Sequence, residues 1–463
     1  MREATAILAD FASGIRFAAL PISVIRVAQT LVLDHIACAV LGMRTKQSAP
    51  ILAPFLAMGG NKEATLFNHA GKVPAYIAAY GNAQASMMLD YDDTYDGHPG
   101  STVIPVALAL AEKLGKNGEE LIEAIVCGYE VGIRMANAIK PGPERQKIVR
   151  GINTWQTFCA AAASAKLLGL EPARFATALA HVPMHTPVPS VYGWGYESGQ
   201  IQWLKNNYGF SCIGGMLSSD FASRDVLANT AILDGATGFA AMAGSDRFNK
   251  SALEDSTTWF IEKVHLKPYP ACRHVCVTLD AVALAQKEAK FTTENISRIE
   301  IDTFWTVVDS YNSLPRTGFD VPFSTPMCIA LLLHGVPVGH SWQDDAHCTD
   351  PALLATAHKV TLKEWDLATE KFSRVDREFL AKARLINTDG AVFEACIEIP
   401  RGDPRNPLLE EDLRQKFRTT ALLLGESNTV AVMDLVLHNL PQLAALDTLT
   451  RHLRPADLLG AES

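Results

Sequence analysis

From Ile22 to Leu41 the polar residues Ser23, Arg26, Thr30 and Asp34 recur every three or four positions. The wide apolar face left between them predicts a mostly buried helix, with Gly42 placed to end it. A second helix is expected from Asn117, whose side chain can cap while Glu120, three residues on, completes a capping box. Ile122, Ile125, Val126 and Ile133 would form its inner face, and Glu123, Glu130, Arg134 and Asn137 its solvent stripe. The run Ala160 to Ala163, continued by Ser164 and Ala165, is a helix with little side-chain bulk. Neighbouring backbones can approach it closely, which suits the centre of a bundle. The chain thus reads as helix after helix up to about residue 260.

The period changes after residue 266. Arg298, Glu300 and Asp302 alternate with Ile299, Ile301 and Thr303, the two-residue repeat of a half-buried strand. Two further strand-like runs, from Ala383 to Thr388 and from Ala391 to Ile399, flank Asp389-Gly390, a strong hairpin signal. A Pro- and Gly-containing exit, Arg401 to Pro407, leads back into helix-forming sequence from Leu408 to Leu440. The fold expected is mainly α: a large all-helical domain made from both chain ends, residues 1–266 and 403–463, with a smaller α+β lid domain inserted at 267–402. The cleft between the two would be the natural ligand site.

Composition narrows the function classes. The 463 residues are 48% hydrophobic and 20% charged, which excludes a disordered or disulfide-stapled chain. A net charge of −9 argues against nucleic acid as a partner. The N-terminus lacks the basic-then-apolar pattern of a signal peptide, and Arg26 and Asp34 interrupt the most apolar segment. No membrane association and a cytoplasmic location are therefore expected, with nine reduced, mostly buried cysteines. There is no GxGxxG loop following a strand, no phosphate-binding Walker loop, no GxSxG elbow and no HExxH.

What stands out chemically is Asp90 to His98, four carboxylates and a histidine between two helical runs. Such a turn can hold an imidazole beside a carboxylate and orient the ring for proton transfer, although a solvated acidic loop would have the same composition. Asp92, Asp93 and Asp96 also spell DDxxD, a magnesium-binding pattern in diphosphate-using enzymes. Its required second motif is missing, since the pair Asp344-Asp345 has the wrong spacing beyond it. Lys205 follows Trp203, and Lys267 opens KPYPACRH, where two prolines fix the backbone at the start of the second domain. Cations at a domain cleft suit a carboxylate-rich substrate. Cys272, His274 and Cys276 do not have the spacing of a zinc knuckle, and no metal is expected.

Taken in order, NAQASMMLDYDDTYDGHPGSTVIPVALALAE, GYEVGIRMANAI, WLK, KPYPACRH, PFSTPMCIALLLHG and RGDPRNPL with a downstream Lys416-Phe417 resemble the MmgE/PrpD family over almost the whole chain. That family includes 2-methylcitrate dehydratase, cis-aconitate decarboxylase and iminodisuccinate epimerase. The resemblance implies a helical domain with an α+β lid, a homodimer, and a cofactor-free and metal-free site that acts on a small polycarboxylate. It implies active-site roles for Asp90, Thr94 and His98 and for the lysines Lys205 and Lys267; with Asp90, Thr94, His98 and Lys267 taken as catalytic, Lys205, Arg273, His274, Asp93 and Asn153 are expected to bind the substrate. His98, oriented by Asp90, would move a proton on the carbon next to a carboxylate. Three positions depart from the decarboxylase-like pattern, with Asn153 and Cys276 where histidines are common and Met327 in place of a tyrosine. The primary expectation is a dehydratase-like lyase. An epimerase, a decarboxylase and a binding protein with a decayed site are the alternatives.

Overall fold

The computed structural model describes residues 2–146, 148–149, 154–187, 207–289, 292–374 and 377–455. Its interior holds two large clusters of buried apolar side chains and a small third one, Cys38, Leu41, Leu89 and Tyr91. Of the large ones, the first draws on Ala4 through Val264 and again on Leu413 through Leu453, and the other on Tyr269 through Ala395. The fold is mainly α, with helices from both chain ends sharing the first cluster. The two crossings between the units lie side by side, where the Leu266 N–H donates to the Gly402 carbonyl at 3.0 Å. Gly402 is required there: its φ is +83°, and a Cβ would stand 1.8 Å from the Leu266 oxygen.

In the helical unit, α1 (Ile22–Gly42) runs through the core beside α2 (Ala75–Ser86), and the two are followed by α3 (Gly100–Leu114) and α4 (Gly118–Ala138). Helix α1 is long and apolar enough to cross a membrane, yet 83% of its most apolar window is buried inside the protein. Gly42 is its last residue for a reason other than a left-handed cap. A Cβ there would lie 1.9 Å from the Ala85 carbonyl of α2, so glycine lets the two helices close up. Helix α4 starts on the expected capping box, with the Glu120 N–H donating to Asn117 at 2.9 Å and the Asn117 N–H to Glu120 at 3.0 Å.

The solvent stripe expected on α4 needs correcting. Glu130 and Arg134 are fully buried and ion-paired with each other. Glu130 also accepts from the Ile261 N–H at 2.9 Å, while Arg134 donates to the Asp255 carbonyl and lies 4.0 Å above the Phe11 ring. Tertiary partners bury these charges where helical periodicity alone places them in water. The alanine-rich helix α5 (Gln156–Leu167) is central as expected, packed between α4 and α6 (Tyr208–Ser223).

The second unit is built on a four-stranded sheet with the order β4-β3-β5-β6: β3 (Ile296–Thr303), β4 (Val360–Glu364), β5 (Ala381–Asn387) and β6 (Val392–Ile397). Strand β3 is parallel to β4 and antiparallel to β5, and β5 is antiparallel to β6. Ile299, Ile301 and Thr303 face inward, as the two-residue period predicts. The hairpin forms at Asp389-Gly390, where the Asn387 side chain accepts from the Asp389 and Ala391 N–H groups. Helix α7 (Arg273–Ala289) covers β5 and β6. The remaining two-stranded ladder, β1 (Ala64–Thr65) with β2 (Lys72–Val73), lies in the helical unit.

One buried polar group in α1 has a cost that can be measured. Both ring nitrogens of His35 lack a hydrogen-bond partner, and burial lowers its pKa from 6.5 to about 3. Between those values the unfolded chain binds the proton and the fold does not, so stability rises with pH across this range and is lost on acidification, by up to about 1.4 kcal/mol per pH unit. His35→Leu is expected to stabilise the protein at neutral pH by about 1 kcal/mol and to flatten the fall of melting temperature between pH 7 and pH 4. Denaturant titrations at both pH values check this, and an unchanged pH slope would contradict the assignment.

Candidate active site

Asp90 to His98 lies between α2 and α3, on a turn in which Asp90 takes a φ of +49° and Asp96 one of +39°. Positive φ is costly for residues with a Cβ and persists only where the surroundings impose it. Helix α3 begins at Gly100, only two residues after His98. His98 is anchored through its backbone. Its N–H donates to the Gln156 side-chain oxygen at 3.1 Å, and its carbonyl accepts from the Gln156 amide at 2.6 Å.

The ring is oriented by Asp92. Nδ1 lies 3.1 and 3.0 Å from the two Asp92 oxygens, while Nε2 is 3.8 Å from Asp90 Oδ1. A proton on Nδ1, shared with Asp92, makes Nε2 the accepting nitrogen and sets Asp90 beside the charge that forms when it takes a proton. The expectation that Asp90 orients the ring is thus corrected to Asp92, which is itself fixed by the Ser101 hydroxyl at 2.6 Å. Ser101 in turn shares a hydrogen bond with Ser86 at 2.8 Å.

Lys267 completes the group. Its Nζ is 3.2 Å from Asp90 Oδ1 and 3.6 Å from Asp92 Oδ1, and it donates to the Asp90 carbonyl at 2.9 Å. Lys267 is only 2% exposed. Burial works against its charge, but Asp90 and Asp92 outweigh that and hold its pKa above the ordinary lysine value. Ligand atoms of Asp90, Asp92 and His98 come within 4.8 Å of one another, a spacing a metal ion could bridge. The Lys267 ammonium already faces both carboxylates and would repel a second cation there. The DDxxD residues do not converge on one point. Asp92 faces His98, Asp93 accepts from the Gly100 N–H at 3.0 Å and from Tyr129 Oη at 2.9 Å, and Asp96 pairs with Arg377 at 3.0 Å and Lys140 at 3.1 Å.

A model of the MmgE/PrpD N-terminal domain matches residues 6–251, and one of the MmgE/PrpD C-terminal domain matches residues 269–439. The chain belongs to the MmgE/PrpD family. Its relatives include the cis-aconitate decarboxylases of Mus musculus and Homo sapiens. The mouse protein is 26% identical over 473 residues, covering 98% of this chain and 94% of the relative. The human protein is 25% identical over 474 residues, covering 98% and 95%. The cis-aconitate decarboxylase of Aspergillus terreus is 23% identical over 466 residues, with 94% and 92% covered. Near-full coverage of these decarboxylases, which are lyases, supports an enzyme.

The other residues expected at the MmgE/PrpD site are placed less uniformly. Thr94 is buried near His98, but its hydroxyl donates to the Gly97 carbonyl at 2.9 Å and its backbone pairs with His265, so it braces the turn. Asp93, expected to bind substrate, instead caps the first turn of α3, and burial together with the neighbouring Asp92 pushes its pKa well up. Arg273 lies 3.7 Å from Asp96 and over the Phe379 ring at 4.6 Å. Burial alone would raise the Asp96 pKa, but Arg377, Lys140 and Arg273 hold it far below the usual carboxylate range.

His274, also expected at the substrate, is only 3% exposed and lies among the rings of Phe304, Tyr311, Phe372 and Phe379 in the interior of the second unit. Cys276 is buried, and burial raises its thiol pKa well above the ordinary value despite Lys267, so it stays protonated. Met327 is fully buried. Asn153 and Lys205 lie outside the described residues. Ser101 and Gln156, which fix Asp92 and His98, carried no motif signal. Asp92 is visible in the sequence as a member of the acidic cluster and of DDxxD, with no role of its own.

Proposed function

We propose that this MmgE/PrpD protein is a cofactor-independent lyase that dehydrates a small di- or tricarboxylate, in the manner of 2-methylcitrate dehydratase. The observation that carries the reading is the His98 ring, held at Nδ1 by Asp92 with Nε2 turned toward Asp90 and a buried lysine compensating both carboxylates. In this reading His98 Nε2 takes the proton from the carbon next to a substrate carboxylate. The electron pair left behind forms the carbon–carbon double bond, and the β-hydroxyl departs as water with the proton that the His98 imidazolium gives back, which restores the base. Asp90 stabilises the imidazolium as it forms, and Asp92 keeps the ring in the tautomer that can accept at Nε2. Arg273 and Lys205 hold the substrate carboxylates, and Thr94 keeps the turn in shape.

A decarboxylase is the second reading, favoured by the cis-aconitate decarboxylases among the relatives. Against it stand Cys276 and Met327, since a buried protonated thiol and a thioether can neither shuttle a proton near neutral pH nor pair with a carboxylate.

Incubation with 2-methylcitrate, citrate and cis-aconitate in D₂O, followed by proton NMR, separates the readings. New vinyl signals from a hydroxylated acid are the expected result. Conversion of cis-aconitate with loss of a carbon would establish the decarboxylase. Deuterium exchange without net change would replace the lyase by an epimerase, and silence across the panel would favour a binding protein. Activity is expected to survive EDTA, and loss restored by magnesium would overturn the metal-free mechanism.

A further inference from the structure

Three consecutive carbonyls of the turn that carries the acidic residues are each held by a long side chain from elsewhere in the chain. Gln343 Nε2 donates to the Leu89 carbonyl at 2.7 Å, Lys267 Nζ to that of Asp90 at 2.9 Å, and Lys416 Nζ to that of Tyr91 at 2.6 Å. Gln343 comes from the sheet-containing unit, Lys267 from the junction, and Lys416 from helix α8 (Glu410–Arg418) in the C-terminal part of the helical unit. The middle residue of the three is Asp90, with its positive φ. A backbone in that region holds its shape only if its surroundings over-determine it, and these three donors do so from three directions.

Lys416 is built in deeply. It is 6% exposed, ion-paired with Asp34 of α1 at 2.5 Å, and sits 3.7 Å above the Tyr91 ring. Asp34 is 2% exposed. An ammonium so buried is an expensive way to satisfy one carbonyl, and a solvated turn would not need it. What it secures is the direction in which the next residue, Asp92, leaves the turn toward His98. Lys267 compensates the charges of Asp90 and Asp92, whereas Lys416 pairs with Asp34.

We propose that Lys416 is a positioning residue for the reaction: anchored on Asp34, it fixes the Tyr91 carbonyl and thereby the orientation of Asp92 against the His98 ring. The C-terminal helical segment thus sets the geometry of the site without touching substrate. The use of rate as a readout rests on the lyase reading, whereas the geometry of the His98 ring does not.

The test uses the full chain with Lys416→Met, Lys416→Arg and the charge-balanced double variant Asp34→Asn/Lys416→Met. In Lys416→Met, kcat is expected to fall at least tenfold with KM within twofold and with a changed pH–rate profile, and Lys416→Arg should recover most of the loss. If the single variant does not fold, the double variant leaves no unpaired carboxylate on α1 and carries the same expectation. The groups facing the His98 ring are Asp90, Asp92 and Tyr208, with Lys267 behind the carboxylates. All remain in these variants, but Asp34 also acts electrostatically on Asp92, so a shifted profile reports their arrangement only where Lys416→Arg, which keeps the charge, restores the wild-type curve. A folded variant with kcat within twofold and an unchanged profile overturns the proposal. Should the wild-type protein turn over none of the acids, the lyase reading fails by itself. NMR titration of the His98 ring then decides, because a curve identical in wild type and double variant sinks the positioning role.

Discussion

His98→Gln is expected to lower kcat by about 10³-fold while the melting temperature changes by no more than a few degrees. The backbone of residue 98 is held by Gln156 on both its N–H and its carbonyl, so the turn does not depend on the imidazole. A glutamine amide can still donate to Asp92, which keeps that carboxylate satisfied, but it cannot accept a proton near neutral pH. Steady-state turnover of whichever acid proves to be the substrate, paired with thermal melts, measures both sides. Asp92→Asn sharpens the test. An asparagine amide placed at Nδ1 would favour a proton on Nε2, the wrong tautomer for a base acting there, and a loss comparable to that of His98→Gln is expected. If Asp92→Asn is nearly as active as wild type while Asp90→Asn is dead, the ring is oriented by Asp90 and the present assignment of the two carboxylates is reversed. Full activity in His98→Gln would remove the base from the mechanism.

How much of this was legible in the sequence depends on whether a feature is local. The capping box at Asn117 and Glu120 and the hairpin at Asp389-Gly390 are made by residues within a few positions of one another, and both form as the sequence suggests. Glu130 and Arg134 look like a solvent stripe because a helical wheel assigns every charge to water, and only Ile261, Asp255 and Phe11, far along the chain, make their burial tolerable. The same distinction runs through the site. Asp90, Asp92, His98 and Lys267 were visible as a cluster and a resemblance, but the choice between Asp90 and Asp92 as the ring's partner depends on the left-handed turn at Asp90, which no spacing rule announces. Asp93 was grouped with its neighbours as a ligand, yet the alternation of side-chain direction along the turn sends it to the first turn of α3. His274 shows what spacing leaves out: two positions from Cys276, it is surrounded by aromatic rings that lie far along the chain.

Lys267→Met should be the most damaging single change in the molecule, lowering stability by about 3–5 kcal/mol and abolishing measurable turnover. Methionine fills a similar volume, so the loss comes from charge. Asp90 and Asp92, 2% and 1% exposed, would face each other and His98 without their shared ammonium, and the Asp90 carbonyl would lose its donor. The sign of the pH dependence follows. Two buried carboxylates without a cation favour uptake of a proton in the fold, which raises their folded pKa above the unfolded value, and a group so raised costs stability as the pH rises through that interval. The variant should therefore lie closer to wild type in denaturant midpoint at pH 5 than at pH 8. Equal destabilisation at both values would mean that Lys267 contributes packing and not charge. Adding Asp90→Asn to Lys267→Met removes one of the two carboxylates and is expected to recover at least half of the lost stability without recovering turnover. The imidazolium formed at His98 Nε2 would then lack the carboxylate placed 3.8 Å from it. Recovery of both stability and turnover in the double variant would show that the pair is a structural ion bridge next to the site, and the chemistry would have to be carried by His98 and Asp92 alone.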